Sequence, residues 1–184
     1  MRKVVSGLFL TLDGVAESPD QWQFEFDAEM GASMGEQIAG ADTILLGRVT
    51  YQEWADYWPT STDEPFASFI NNTPKYVVST TLDKVKWGNF DNTRLIKGNL
   101  ADNVTRLKQQ AGKNVLVTGS PTLVESLLYD DLLDELILMV HPVVAGKEKR
   151  LFSHGRALKR MKLVEAKTTS SGVVILTYQP SRDQ

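Results

Sequence analysis

The fold this sequence predicts is a three-layer α/β/α arrangement around a mixed, mainly parallel sheet that ends in antiparallel strands. Three observations predict it. Apolar, β-branched runs alternate with helix-compatible segments over most of the chain. Two of those runs end in a glycine that opens the next helix, and after Leu136 the alternation gives way to strands around a tight turn. The length of 184 residues fits one domain, large enough to bury a core without staples.

Residues 4–12 form the first strand, apolar on both faces as in a central strand covered by helices on either side, and it ends at Asp13-Gly14. Residues 16–23 lack periodicity and read as a loop, which in an α/β sheet lies near the ligand crevice. Phe26, Met30, Met34 and Ile38 recur at helical spacing and predict a helix over 24–39, with Gly31 and Gly35 allowing close backbone packing. Residues 43–46 form the second strand, whose exit, Gly47-Arg48-Val49-Thr50, opens a helix running through Trp54. A Pro- and Asp-bearing loop over 59–65 and a short helical piece lead to a strand over 75–79, with Ser79-Thr80-Thr81 at its exit. Residues 93–96 make a short strand and 100–110 a helix, broken at Gly112.

The stretch 114–128 organises the rest. Val115, Leu116 and Val117 form a buried-looking strand, Gly119 permits a tight turn, Ser120 is a good N-cap, and Pro121 fits the first helical position. The first turn of that helix aims free N–H groups and a positive dipole end past the strand, a place suited to phosphate, although similar turns occur in α/β proteins that bind nothing there. Beyond it come strands over 136–140, 161–168 and 173–178, with a loop at Gly146 and a turn at Ser171-Gly172.

Composition excludes several functions. Cysteine is absent, so neither a disulfide framework nor a Cys-bearing zinc site exists in this chain, and His141 and His154 are too few and too far apart for an H-E-x-x-H helix. Metal catalysis is not expected. A net charge of -3 with scattered cations argues against nucleic-acid binding. The apolar run near the N-terminus is short and interrupted by Ser6 and Gly7, and no segment approaches the roughly 20 apolar residues of a membrane span, so a soluble, cytoplasmic protein is expected. G-x-G-x-x-G after the first strand and the P-loop pattern are both missing.

Two segments carry a family resemblance. Leu46-Gly47-Arg48-Val49-Thr50-Tyr51 resembles the GR-x-T-aromatic segment of dihydrofolate reductases, and Thr118-Gly119-Ser120-Pro121-Thr122-Leu123 resembles the Gly-Pro-Thr-Leu turn of riboflavin-biosynthesis pyrimidine reductases. Both groups belong to one superfamily, and the resemblance to its RibD C-terminal-domain branch runs in order from Ser6 to Tyr178. It implies a dihydrofolate-reductase-like fold and NADPH as cofactor. Gly47 and Thr50 would lie at the dinucleotide, Gly119, Ser120, Pro121, Thr122 and Leu123 around its pyrophosphate, and Arg48 with Ser79 and Thr80 near the adenosine 2′-phosphate. Chemistry agrees, since a guanidinium forks onto phosphate oxygens and hydroxyls fill remaining sites. A surface ion pair for Arg48 and a strand-end turn for Ser79 are equally open on the residues alone.

The family-level activity this implies is reduction of 5-amino-6-(5-phosphoribosylamino)uracil by hydride transfer. Asp13 resembles the Asp of the family's S-L-D-G segment and is the candidate for touching substrate or a proton-relaying water; a turn Asp beside Gly14 is the plainer reading. Trp22, Phe24, Tyr51, Trp54, Tyr57 and Trp58 offer walls for a planar substrate, although Tyr51 and Trp54 share a helix face and can simply pack. Two departures point away from the riboflavin intermediate: Thr118 stands where an acidic residue is usual, and Glu53-Trp54-Ala55-Asp56 where a D-D-P-like segment is usual. Dihydrofolate-type activity remains an alternative, with Asp27 or Glu29 as its helical carboxylate, and so does a non-catalytic nucleotide-binding module. A homodimer is expected through Val140, Pro142, Val143 and Val144.

Overall fold

A computed structural model describes residues 1–147, 149–152 and 155–181. The strands are β1 (Val4–Thr11), β2 (Ala41–Gly47), β3 (Lys75–Val78), β4 (Thr93–Ile96), β5 (Asn114–Val117), β6 (Glu135–His141), β7 (Met161–Thr168) and β8 (Val174–Pro180). Between them lie α1 (Ala28–Ala39), α2 (Arg48–Tyr57), α3 (Phe66–Asn72), α4 (Leu100–Gln109) and α5 (Pro121–Tyr129). The strands form one sheet in the order β4-β3-β2-β5-β1-β6-β8-β7. It is parallel from β4 through β6, and β8 and β7 add antiparallel pairs. The expected mixed three-layer architecture is therefore present.

Alternation along the strands sorts side chains to two faces. Val4, Leu8, Leu45, Val115 and Val117 meet Val104 and Leu107 of α4 and Leu123, Val124 and Leu127 of α5 in one continuous core. On the opposite face the core is split. Val5, Ile137, Met139 and Ile175 pack on Met30 of α1, whereas Ile44, Leu46 and Val77 pack on Tyr51 of α2, Ile70 of α3 and Trp87. Each fully buried aliphatic chain contributes about 1.5–3 kcal/mol, so both clusters hold their helices firmly. The gap between them becomes a cleft.

Three local expectations are corrected. The helix expected from residue 24 starts at Ala28, because Asp27 caps it by accepting from the Met30 N–H at 2.8 Å. Phe26 shares the helical spacing but precedes the cap, and its ring meets Phe66 edge-on at 6.4 Å. Gly35 does not serve close packing, since a Cβ there would find nothing within 4 Å. Ser120 occupies the N-cap position of α5, yet its hydroxyl makes no capping bond.

Lys75 opens β3 as an apolar-run residue would, and it is wholly buried. Its ammonium donates to the carbonyls of Ile70 and Thr73 at 2.7 Å and of Asn71 at 3.3 Å, and lies 4.7 Å from the Trp87 ring centre. A cation at a helix C-terminus meets the negative dipole end and otherwise unpaired carbonyls, so Lys75 clamps α3 onto the sheet. Among the described residues no helix is long and apolar enough to cross a membrane.

Candidate active site

The exits of β2 and β5 touch through backbone. Gly47 N–H donates to the Gly119 carbonyl at 2.9 Å, and a Cβ at Gly47 would stand 2.5 Å from Ser120 Oγ and 2.9 Å from its backbone nitrogen. Only glycine at Gly47 permits that approach. Gly119 adopts φ 127, and its peptide bond to Ser120 is cis. The α2 and α5 starts thus sit side by side, and neither has a side-chain cap. Two helix N-termini with exposed polarity converge on one point.

A cleft of about 700 Å³ runs from this point into the gap between the split cores. Gly7, Leu116, Thr118 and Met139 lie on its sheet side, and α1, α2 and α3 wall it. Trp54, Tyr57, Trp58, Phe66 and Phe69 make that wall largely aromatic. Trp58 is held edge-on by Trp54 at 5.7 Å and by Tyr57 at 5.0 Å, which fixes the surface a flat ligand would meet. A pocket of this size, mostly apolar with few polar groups, is the usual form of a small-molecule site.

Of the residues proposed from sequence, Thr50, Trp54, Thr118, Gly119, Ser120, Pro121 and Thr122 line the cleft. Four others are turned to structure. Asp13 accepts from Thr11 Oγ1 at 2.6 Å and from the backbone N–H groups of Ala145 and Gly146 at 3.1 and 2.9 Å. Those bonds hold its carboxyl down to about 2, the Thr11 hydroxyl contributing most, and it is not among the cleft residues. It anchors the loop after β6 and is a poor proton donor near neutrality. Trp22 is buried, its indole N–H bound to the Glu17 carbonyl at 2.9 Å and its ring against His141 at 5.5 Å, so it is core and not substrate wall. Tyr51 donates to the Lys86 carbonyl at 3.0 Å and accepts from the Lys86 N–H at 2.8 Å, tying down the connection after β3. Leu123 packs in the continuous core. Phe24, expected among the walls, is 80% exposed.

Arg48, Ser79 and Thr80 lie outside the cleft at neighbouring strand exits, because Gly47 and Val78 pair in register. Arg48 donates to Gln52 at 2.9 Å and is otherwise exposed. Ser79 is buried, and its oxygen accepts from the N–H groups of Thr81 and Leu82, so the strand-end turn reading holds alongside any ligand role. His141 is buried with an unpartnered Nε2, and burial pushes its pKa down. No metal-ligating cluster exists among the described residues, and His154 lies outside them.

The chain as a whole has counterparts. The RibD C-terminal domain family matches residues 2–175. The chain belongs to that family. YyaP of Bacillus subtilis (strain 168) is 31% identical over 185 residues, covering 96% of this chain and 94% of its own length. A crystallised protein from Shewanella sp. PV-4, provisionally named a riboflavin biosynthesis protein, superposes with a TM-score of 0.80 at 20% identity, over 98% of this chain and 99% of that one. A dihydrofolate reductase from Enterococcus faecalis, solved with NADP(H), superposes with a TM-score of 0.66 at 9% identity, over 97% and 96%. The RibD C-terminal domain thus shares the dihydrofolate-reductase-like fold.

Two cleft residues of this RibD C-terminal domain, Gln37 and Lys149, escape a reading by motif, and Glu53 is legible only as a departure from one. Gln37 of α1 lays its amide over Gly7, where an added Cβ would stand 1.9 Å from Oε1. A glycine inside a strand is the signal that could have found this approach. Lys149 reaches Thr122 Oγ1 at 2.5 Å from a distant loop. Glu53 enters the cleft from α2, one helical turn beyond Thr50.

Proposed function

We propose that this protein is an NADPH-dependent oxidoreductase that reduces a small flat heterocycle. The carrying observation is the pair of uncapped helix starts at Gly47 and Gly119, hydrogen-bonded to each other and opening into an aromatic cleft. The residues present fit a dinucleotide. Bare backbone at Gly119, the Thr50 hydroxyl and the first turn of α5 suit a pyrophosphate, and Lys149 adds a cation beside Thr122. Gly47, Ser120, Pro121 and Thr122 shape that turn, while Leu123 supports it from the core. Arg48 and Thr80, exposed at the neighbouring exit, suit a 2′-phosphate, beside the Ser79 hydroxyl, which also contacts Thr81 Oγ1 at 3.3 Å.

NADPH, when bound, supplies the hydride, so the protein's task is alignment and exclusion of water. Trp54, Trp58 and Phe69 are placed for the second task and the floor residue Thr118 for the first. Family membership favours a heterocycle of the riboflavin-pathway class. The decisive experiment follows loss of NADPH absorbance across a panel of pteridines, pyrimidinones and dihydrofolate, with NADH in parallel. No turnover on any of them, together with no NADPH binding by calorimetry, would leave a non-catalytic module as the reading. We further infer a homodimer through the open edge strand β7, whose Leu163 and Val164 are 48% and 51% exposed, in place of the stretch from Val140 to Val144, because Val140 lies inside the sheet between β1 and β8.

A further inference from the structure

The charge on the cleft wall runs opposite to what a phosphorylated substrate needs. Glu17, Asp20 and Glu53 line the cleft, and among its described lining residues the one cation is Lys149, already bonded to Thr122 at the α5 start. No arginine joins them. A phosphate monoester bound beyond the dinucleotide would face the half-buried Glu17 and the exposed Asp20 and Glu53, a like-charge repulsion that salt screens.

The floor carries a different kind of recognition. The Gln37 amide nitrogen is buried with no hydrogen-bond partner, and so is the Thr118 hydroxyl. Gln37 reaches from α1 over Gly7 of β1, and Thr118 follows Val117 of β5, which pairs with Ser6, so the amide lies over the strand next to the one that carries Thr118, at the same level. Buried polar groups are normally paired, and two left open in one cleft, Thr118 on its floor and Gln37 on its α1 wall, mark where a ligand completes them. An amide N–H donates and a hydroxyl both donates and accepts, which together match a C=O/N–H lactam edge.

Resting on the reductase reading above for the site, we propose that the substrate is an unphosphorylated, uncharged flat heterocycle, whose lactam edge is read by Gln37 and Thr118 between aromatic walls, and that Glu17, Asp20 and Glu53 reject phosphorylated analogues. Riboflavin and FMN test this, because both carry a lactam-edged ring and they differ by one phosphate. Titrated into the protein by tryptophan quenching, riboflavin binds at least about tenfold more tightly than FMN, a gap that narrows as salt screens the carboxylates. Glu53→Gln also narrows it. Gln37→Leu weakens riboflavin about tenfold while leaving NADPH affinity unchanged, and Gly7→Ala, which pushes the flexible end of Gln37 aside, does the same. Two variants on different elements guard against a folding artefact in either. Equal or tighter FMN binding, no effect of Gln37→Leu, or no binding of either flavin up to about 1 mM would each overturn the proposal. Should these fail while NADPH still binds, the substrate class alone is wrong; loss of NADPH binding in the parent protein strikes the reductase reading instead.

Discussion

A Cβ added at Gly119 would stand 2.7 Å from the Oγ1 of Thr50, so the first turn of α2 and the turn after β5 are in contact through a glycine that has no room to be anything else. Gly119→Ala therefore meets both a clash and a φ of 127 that L side chains avoid. We expect a loss of about 1–3 kcal/mol in urea unfolding and a larger loss in NADPH affinity by calorimetry. A variant with parental cofactor affinity would remove the turn from the dinucleotide site.

Arg48→Ala should lower NADPH affinity while leaving NADH untouched. A charge-assisted phosphate contact contributes about 1.5–3 kcal/mol, or roughly ten- to a hundredfold in Kd. Calorimetry with both cofactors decides it. Equal affinity of the parent for NADPH and NADH would refute the assignment.

Asp13→Asn tests an anchor against an acid. Its folded pKa of about 2 lies below the ordinary 3.8, so the stability it contributes is fully present above pH 3.8 and is lost as the pH falls toward 2. We expect the variant to lower Tm at neutral pH, to speed amide exchange at Ala145 and Gly146, and to leave the pH profile of kcat unchanged. An altered kcat profile would return Asp13 to the chemistry.

Lys75 shifts the other way. Burial lowers its pKa from 10.5 to about 8, against the three carbonyls and the Trp87 ring that favour its charge. Between those values the unfolded chain binds a proton the folded one lacks, so this group's contribution to stability rises from pH 8 to 10.5. Subtracting the unfolding curve of Lys75→Met across that range isolates the slope. The variant itself leaves the carbonyls of Ile70, Asn71 and Thr73 without their donor but also removes a buried charge, so its net destabilisation at pH 7 should be about 1–3 kcal/mol.

Leu163→Glu on β7 should convert a dimer to a monomer by light scattering at micromolar concentration, with unchanged far-UV circular dichroism. A parent protein that is already monomeric would dismiss the interface.

Much of this molecule was legible in its residues. Strands 93–96 and 161–168 match the expected bounds because apolar or alternating runs flanked by breakers leave few registers. The two glycine exits were legible as well, since Gly followed by a helix-compatible segment encodes its own turn. What stayed hidden depends on partners far along the chain. Asp13 is an anchor only because Gly146 folds back to it, and Tyr51 is structural only because Lys86 meets its hydroxyl. Gln37 was missed for a related reason: its importance lies in Gly7, a neighbour supplied by the sheet and not by the helix.

The split core gives the cleft a mechanical property. The clusters under α1 and under α2–α3 share no side chain, while the opposite face is one unbroken layer from Val4 to Leu151. The unbroken layer acts as a spine and the two clusters as covers, bridged across the cleft by the edge contact of Phe26 with Phe66. A ligand spanning Gln37 on one cover and Trp54 on the other then works as a clasp. Its binding stiffens the whole molecule, so a tight substrate analogue doubles as a stabiliser.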